Sequence, residues 1–309
     1  MSKIVVIGEL LVDMISTEYV DDLASASTFS RHFAGSPGNL ALNLADLKFE
    51  TYLLARVGDD PFGKAHMKYL SDRGVKTDFV QVDPEWCTSF IFITRSKGTP
   101  LFLPLRQADY RIMLPTNLQE LLNNAMFIHL TAWPLSREPS RSTTLRIIEE
   151  ARKMGISICF DPNYRKKFWE SGHDGVHFIK ENVLNGLFLS KPSVDDVYNM
   201  FGEMEPEQAI TMFHDHGVQN VVLSLGEEGA IVSDGSRMRH IPTLARFVID
   251  TTGAGDGFWS GMYFALSQNL DIFTAASFGS AIAAHRVESS AKNDPLPPIR
   301  EILHRYGLE

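Results

Sequence analysis

The chain predicts an α/β fold, a doubly wound, mostly parallel sheet covered by helices on both faces, with a small β-sheet lid beside it. Three observations carry this expectation. Short apolar runs, KIVVIG, TYLLARVG, AMFIHL, GISICFD, GLFLSK and VQNVVLSLG, alternate with helix-length amphipathic segments. Strand, helix, strand at that spacing implies parallel strands with ligands at their carboxyl ends, where several runs finish in a polar or glycine residue. One region breaks the rhythm: TSFIFITRSKGTPLFLPL, Thr88 to Leu105, reads as two strands around Lys97-Gly98 with no helix between. Together with Leu11 to Ala34 it is expected to project over the site as the lid, formed by about 11–34 and 88–110 within one domain of residues 1–309.

Composition bounds the rest. With 309 residues and 44 % hydrophobic content the chain can bury a large core. No run approaches membrane-spanning length. The stretch KIVVIGELLVDMI is interrupted by Glu9 and Asp13, lacks a small-residue cleavage pattern, and reads as a strand followed by a turn. A formal charge of −9 without a basic block leaves nucleic acid no electrostatic footprint. Cys87 and Cys159 are too few and too far apart for a disulfide framework or a zinc site, which fits a reducing, cytoplasmic setting; Cys159, inside an apolar run, reads as core.

Taken in order, the first strand leads to GELLVD, where Asp13 at a carboxyl end can accept hydrogen bonds from two sugar hydroxyls or serve as a plain turn acid. In AGSPGNLALNLADL, Gly35, Pro37 and Gly38 make a tight entry into an amphipathic helix, and Asn39 offers donors and an acceptor to a polyol. A mere helix N-terminus would account for the glycines equally. Between Ser140 and Met154, Leu145, Ile148 and Ala151 fall on one helical face. The HDH triplet at His214 to His216 points its histidines to different faces and is expected to be a solvated helix end. LSLGEEGAIV places Gly226 and Gly229 after a strand, a hairpin signal that also permits close backbone approach to phosphates. Neither a Walker A motif nor a dinucleotide fingerprint is present.

DTTGAGDGFWSGM, Asp250 to Met262, is the most informative stretch. A Gly-Ala-Gly turn opening a helix lets backbone N–H groups face a ligand without Cβ obstruction, and they add to the positive end of the helix dipole. Asp256 would ordinarily cap that helix. If a substrate hydroxyl reaches it, the same carboxylate can take the hydroxyl proton beside the anion hole.

Over essentially its whole length the sequence resembles the ribokinase-like, or PfkB-type, carbohydrate kinases. DTTGAGDGF is similar to their C-terminal signature D-T-x-G-A-G-D, and AGSPGNLALNLADL resembles the N-terminal G-G-x-x-x-N signature. The resemblance implies a ribokinase-like three-layer fold, with Asp256 as catalytic base and Gly253, Ala254 and Gly255 as anion hole. It implies sugar binding by Asp13, Gly35, Asn39 and Asp256, and a monovalent cation such as K⁺ near Asp250 and Thr252. It places ATP beside Ser193, Ser224, Gly226, Gly229, Gly255 and Ser280. FDPNYRKKFWES looks like the D-P-N-x-R-x-x-x-W segment of fructokinases and 2-keto-3-deoxygluconate kinases, so the planar fork of Arg165 would meet a phosphate or a substrate oxygen. EPSRSTTL and LRQADYRIML resemble fructokinase segments, and Arg106 at the lid's return would contact the sugar or, failing that, cap a strand at the surface.

Two departures stand out. The family's N-x-x-E segment, which organises metal-bound water, is replaced by Ser193 and Asp196; Asp keeps a hard oxygen for Mg²⁺ but with shorter reach. Ser280 and Ser290 stand where relatives often carry Asn and Gly. The expectation is an ATP- and Mg²⁺-dependent fructokinase acting on the primary hydroxyl of D-fructose, with 2-keto-3-deoxygluconate, ribose or nucleoside kinases as alternatives. A non-catalytic sugar-binding regulator is the alternative of another class. A homodimer through the lid edge is the expected assembly, with no nucleic-acid or membrane partner.

Overall fold

A computed structural model describes residues 2–96, 100–289 and 294–308. The Lys97-Gly98 turn and Ser290 lie outside the described residues. In chain order the strands are β1 (Lys3–Ile7), β2 (Leu11–Tyr19), β3 (Phe29–Ala34), β4 (Glu50–Gly58), β5 (Val80–Asp83), β6 (Ser89–Arg95), β7 (Phe102–Leu105), β8 (Ala125–Thr131), β9 (Ser157–Asp161), β10 (Leu189–Ser190), β11 (Asn220–Ser224), β12 (Ala230–Ser233) and β13 (Met238–Ile241). The helices are α1 (Ser36–Asp46), α2 (Pro61–Asp72), α3 (Leu118–Leu122), α4 (Ser140–Lys153), α5 (Gly175–Ile179), α6 (Val194–Phe201), α7 (Pro206–Asp215), α8 (Ala254–Ser267), α9 (Ile272–Val287) and α10 (Ile299–Arg305).

Nine strands form one sheet in the order β13-β12-β11-β10-β9-β8-β1-β4-β5, parallel throughout except at β11-β12 and β12-β13. The near-continuous apolar runs follow from burial on both faces, because alternate side chains of one strand enter opposite layers. In β1, Ile4 and Val6 join Leu40, Leu44, Trp259 and Tyr263 on one side. Val5 and Ile7 join Ile147, Ile148, Ile210 and Phe213 on the other. α4 turns Thr144, Ile147, Ile148 and Ala151 inward at helical spacing, while Leu145 is half-buried. The helix hairpin α8/α9 closes tightly: a Cβ on Gly261 would come within 2.4 Å of the Phe278 carbonyl oxygen, so glycine is what lets the two backbones approach.

The second sheet has four strands in the order β3-β2-β6-β7, with β2 parallel to β6 and the outer pairs antiparallel. It is seated on the main body through Leu11, Ala34, Ile91, Trp133 and Phe168. Two sequence expectations need adjustment. GLFLSK contributes only a two-residue strand, because Gly186 bends the entry at a φ of 76° and Pro192 has no N–H with which to extend the ladder. The HDH triplet is not freely solvated: half-buried His214 bonds through Nδ1 to the Val218 carbonyl (2.8 Å) and through Nε2 to Ser233 Oγ (2.8 Å), tying the end of α7 to β12. Among the described residues no helix is long and apolar enough to cross a membrane.

Candidate active site

The N-termini of α1 and α8 face one another, and the Asp256 carboxylate lies between them. α8 begins at Gly253, which adopts the left-handed conformation (φ 79°, ψ 2°) that glycine accepts without strain. Its carbonyl accepts the first helical bond from Gly257 N–H at 2.9 Å, which leaves the Gly255 and Asp256 amides in the first turn without an intrahelical acceptor. α1 begins at Gly35 (φ 111°), where a Cβ would lie 2.3 Å from the Glu9 carbonyl oxygen. That tight entry aims two first-turn side chains at the acid. Ser36 Oγ–H donates to Asp256 Oδ1 (2.6 Å), and Asn39 Nδ2–H donates to Oδ2 (3.1 Å). Burial pushes the Asp256 carboxyl up to about 6, with the Ser36 and Asn39 hydrogen bonds opposing the rise.

Two cavities meet at this point. A chamber of about 260 Å³ lies under the small sheet and takes Asp13 from β2, Asn39 and Asn43 from α1, and the two arginines Arg73 and Arg286 into its wall. A larger cleft of about 1050 Å³ runs along the carboxyl ends of β9, β10 and β11. The two share Thr252 and Gly253, while Asp256 lines the cleft and its partner Asn39 the chamber. A Cβ added to Gly253 would meet no protein atom within 4 Å. We therefore expect Gly253→Ala to cost only about 1 kcal/mol of stability, from the left-handed backbone. A far larger loss of turnover is expected, because the methyl enters the space shared by the cavities; thermal melts and initial rates on one preparation check it.

The residues expected from the sequence distribute as follows. Asp13, Asn39, Thr252 and Gly253 line the chamber. Ala254, Gly255, Asp256, Arg165, Ser193, Asp196, Ser224, Gly226, Gly229 and Ser280 line the cleft. Arg165 thus faces the larger cavity, its Nη1 3.7 Å from Asp196 Oδ1. Asp250 lines neither cavity and accepts the Thr252 N–H at 2.8 Å, shaping the turn. Gly35 lies behind the chamber wall as the α1 cap.

Two expected roles meet a different local chemistry. Ser193 and Asp196 form a reciprocal capping box at the start of α6: Asp196 N–H donates to Ser193 Oγ (3.1 Å), and Asp196 Oδ2 accepts from Ser193 N–H (3.0 Å) and Oγ–H (2.7 Å). The other oxygen accepts the Tyr164 N–H at 2.7 Å, so both carboxylate oxygens are engaged in backbone architecture, and burial raises the group's pKa. Arg106 is buried away from both cavities. Its Nε–H donates to Asp109 Oδ2 (2.7 Å), and Nη1 donates to Ser136 Oγ (2.7 Å) and the Phe168 carbonyl (3.0 Å). Among the described residues no cluster of three or more His, Cys, Asp or Glu is arranged to hold a metal ion.

Several residues of the site were not singled out by sequence reasoning. Lys191, the end of GLFLSK, is buried; its Nζ is 3.4 Å from Asp161 Oδ2 and 3.6 Å from where a Cβ on Gly255 would sit. Asp161, the end of GISICFD, also accepts from Trp259 Nε1–H at 2.7 Å. The available signal was position, since polar residues ending parallel strands point at the ligand side. Ser36 carried no signal beyond lying at a helix start, and Arg73 and Arg286 none at all.

The description "pfkB family carbohydrate kinase" fits residues 1–299 by family profile. An ATP-dependent 6-phosphofructokinase of Thermoanaerobacterium thermosaccharolyticum is 39 % identical over 307 residues, 99 % of this chain and 94 % of that protein. The solved fructokinase of Halothermothrix orenii superposes with a TM-score of 0.82 at 37 % identity, covering 94 % of this chain and 99 % of its own. A Vibrio cholerae fructokinase solved with fructose, ADP and calcium gives a TM-score of 0.84 at 25 % identity over 98 % of both chains.

Proposed function

The chain belongs to the pfkB family of carbohydrate kinases, and on that premise we propose that it transfers the γ-phosphoryl group of ATP to a primary hydroxyl of the fructose skeleton, D-fructose being the parent acceptor. The observation that carries this reading is the Asp256 carboxylate, set between two helix N-termini at the seam of a small chamber and a large cleft. The names of the two most similar relatives reported above share the fructose frame, which supports a ketohexose over ribose, a nucleoside or a keto-deoxy acid.

In this reading the sugar occupies the chamber, with Asp13 and Asn39 as hydroxyl partners, and ATP lies in the cleft along Ser224, Gly226, Gly229 and Ser280. Asp256 takes the hydroxyl proton as the oxygen attacks. The Gly255 and Asp256 amides and the Lys191 ammonium face the phosphoryl group as charge spreads over its oxygens. Mg²⁺ on the polyphosphate would neutralise its charge, and the residues present suit an ion held mainly by phosphates and waters, with Asp161 and Asp195 as hard oxygen donors on the cleft wall. A K⁺ beside Asp250 and Thr252 belongs to the same proposal, as does a cytoplasmic setting in which Cys87 and Cys159 remain thiols. A homodimer through the small sheet is the proposed assembly, supported by Phe102, Leu103 and Leu105, which are 46, 49 and 45 % exposed.

The test is ADP release with and without sugar, over fructose, ribose, 2-keto-3-deoxygluconate and a nucleoside. Fructose-type acceptors should stimulate release most, whereas sugar binding with no stimulated release by any acceptor would favour a regulator. The acid limb follows from the base. A carboxyl pushed up to about 6 must be ionised to accept a proton, so kcat/KM should fall about tenfold per unit below pH 6. A flat profile down to pH 4.5 would remove Asp256 from that role.

A further inference from the structure

We propose that Trp259 is a positioning residue for phosphoryl transfer: its indole N–H fixes the Asp161 carboxylate and, through it, the Lys191 ammonium beside the mouth of α8. This rests on the kinase reading above and deepens it, because it names the group that holds the cationic partner of the transferred phosphoryl. Trp259 lines neither cavity and acts through the two side chains it holds.

The strand register sets the pair. β10 runs parallel to β9 with Ser190 opposite Phe160, so the next residues, Lys191 and Asp161, leave the carboxyl edge of the sheet side by side. Both are buried, and Lys191 Nζ is 3.4 Å from Asp161 Oδ2. At that separation the ion pair alone does not fix the ammonium, whose flexible four-carbon stem allows it a range of positions around one carboxylate oxygen. Trp259 supplies the constraint. Its Nε1–H donates to the same Oδ2 at 2.7 Å, a charge-assisted bond. The Lys191 ammonium lies 5.7 Å from the centre of the indole, within reach of a cation–π attraction. One indole therefore engages both members of the pair, and with Oδ2 answered twice, Oδ1 is left to the cleft that Asp161 lines.

The indole is itself held in place. Trp259 is fully buried, stacked on Tyr263 at 5.4 Å and 21°, and met edge-on by His129 at 4.8 Å and 84°. Tyr263 Oη and His129 Nδ1 are hydrogen-bonded at 2.9 Å, which closes a frame around the ring. A buried tryptophan needs an acceptor for its N–H, but any backbone carbonyl would meet that need. Here the acceptor is a carboxylate on the cleft wall. The helix adds a second link, because Trp259 follows Asp256 by three residues on α8, which makes the base and this prop neighbours on one helix surface. The mouth of that helix is also where Lys191 points, its Nζ 3.6 Å from the Cβ position of Gly255. A single rigid element thus fixes the proton acceptor, the amides and, through Trp259 and Asp161, the ammonium in one frame. Phosphoryl transfer depends on such pre-organisation, since positioning and charge stabilisation are most of what a protein supplies to it.

The consequence falls on the transferred group rather than on the whole nucleotide. In the kinase reading Lys191 faces the γ-phosphoryl, which ADP lacks, so loosening the ammonium weakens a triphosphate and the transition state but not a diphosphate. The chamber that takes the sugar, with Asp13 and Asn39 in its wall, is left as it is.

The experiment uses Trp259→Phe, which keeps an aromatic ring in the stack but has no N–H. With D-fructose, or whichever acceptor of the panel above serves best, kcat should fall about 10- to 100-fold while the acceptor KM stays within about twofold. By calorimetry with Mg²⁺ present, β,γ-imido-ATP should bind about tenfold more weakly and ADP within about twofold of wild type. Phe213→Leu, in the core layer on the other face of the sheet, controls for lost packing; it should lower the melting temperature and leave kcat within about twofold. Should Trp259→Phe not accumulate as folded protein, Trp259→benzothienylalanine, which keeps the bicyclic shape without the N–H, gives the same comparison. A kcat within about threefold of wild type, equal weakening of both nucleotides, or an equal kcat loss in Phe213→Leu would overturn the assignment. Any of these in a wild type whose ADP release is stimulated by an acceptor sinks this inference alone; no stimulation by any acceptor sinks the kinase reading with it.

Discussion

Asp256→Asn is expected to lower turnover by about 10²- to 10⁴-fold while the protein still binds its sugar. The chamber keeps Asp13, Asn39 and Gly253, and the helix-mouth amides remain, so only the proton acceptor is lost. The same substitution should raise stability at neutral pH. A carboxyl whose pKa rises on folding favours its protonated form in the native state. That contribution is complete below the ordinary carboxyl value near 4 and is lost as pH rises through about 6. From 3.8 to about 6, the ionised group opposes folding by about 3 kcal/mol at pH 7. Asn carries no such charge, although its amide must be accommodated beside Asn39. Calorimetry at pH 5 and pH 8 should find the variant's advantage larger at pH 8. A variant that turns over its sugar at the parental rate, or melts lower at both pH values, would contradict the assignment.

Arg106→Met is expected to act on stability first. It removes the counter-ion of Asp109, which is fully buried and also accepts from Trp133 Nε1–H at 2.6 Å and Gln107 N–H at 3.0 Å. Stripping one partner from a buried ion pair costs about 3–5 kcal/mol, far more than a surface arginine would. The loss should appear as a drop of many degrees in the thermal midpoint, because the Arg106 fork also joins Ser136 and the Phe168 carbonyl beneath the small sheet. Were the midpoint unchanged and only the acceptor KM raised, Arg106 would return to the sugar site where sequence resemblance had placed it.

That reassignment illustrates what could be read from the chain. The parallel sheet, the second sheet and the DTTGAGD helix mouth were legible, because apolar periodicity, a helix-free strand pair and a glycine-flanked helix start each leave a local imprint. That Asp13 and Asn39 line one chamber, with Asn39 reaching across to Asp256, was legible only through resemblance to other kinases. What stayed hidden depends on contacts far apart in sequence. Arg286 reaches Asn43 across 243 positions, and Ser36 reaches Asp256 across 220, distances no motif spans. Arg106 read as a lid residue because local sequence does not reveal that Asp109, Ser136 and Phe168 would enclose it. Ser193 and Asp196 are the opposite case. Their S-x-x-D spacing states a capping box outright, yet comparison with an N-x-x-E pattern drew attention to metal water instead.

The seam at Thr252 and Gly253 has a kinetic corollary. Donor and acceptor each have a compartment, and the strip common to both is two residues wide, with the Asp256 carboxylate beside it already hydrogen-bonded by Ser36 and Asn39. Catalysis should therefore need a ternary complex, giving intersecting double-reciprocal plots and no exchange of label between ADP and ATP when the acceptor is withheld.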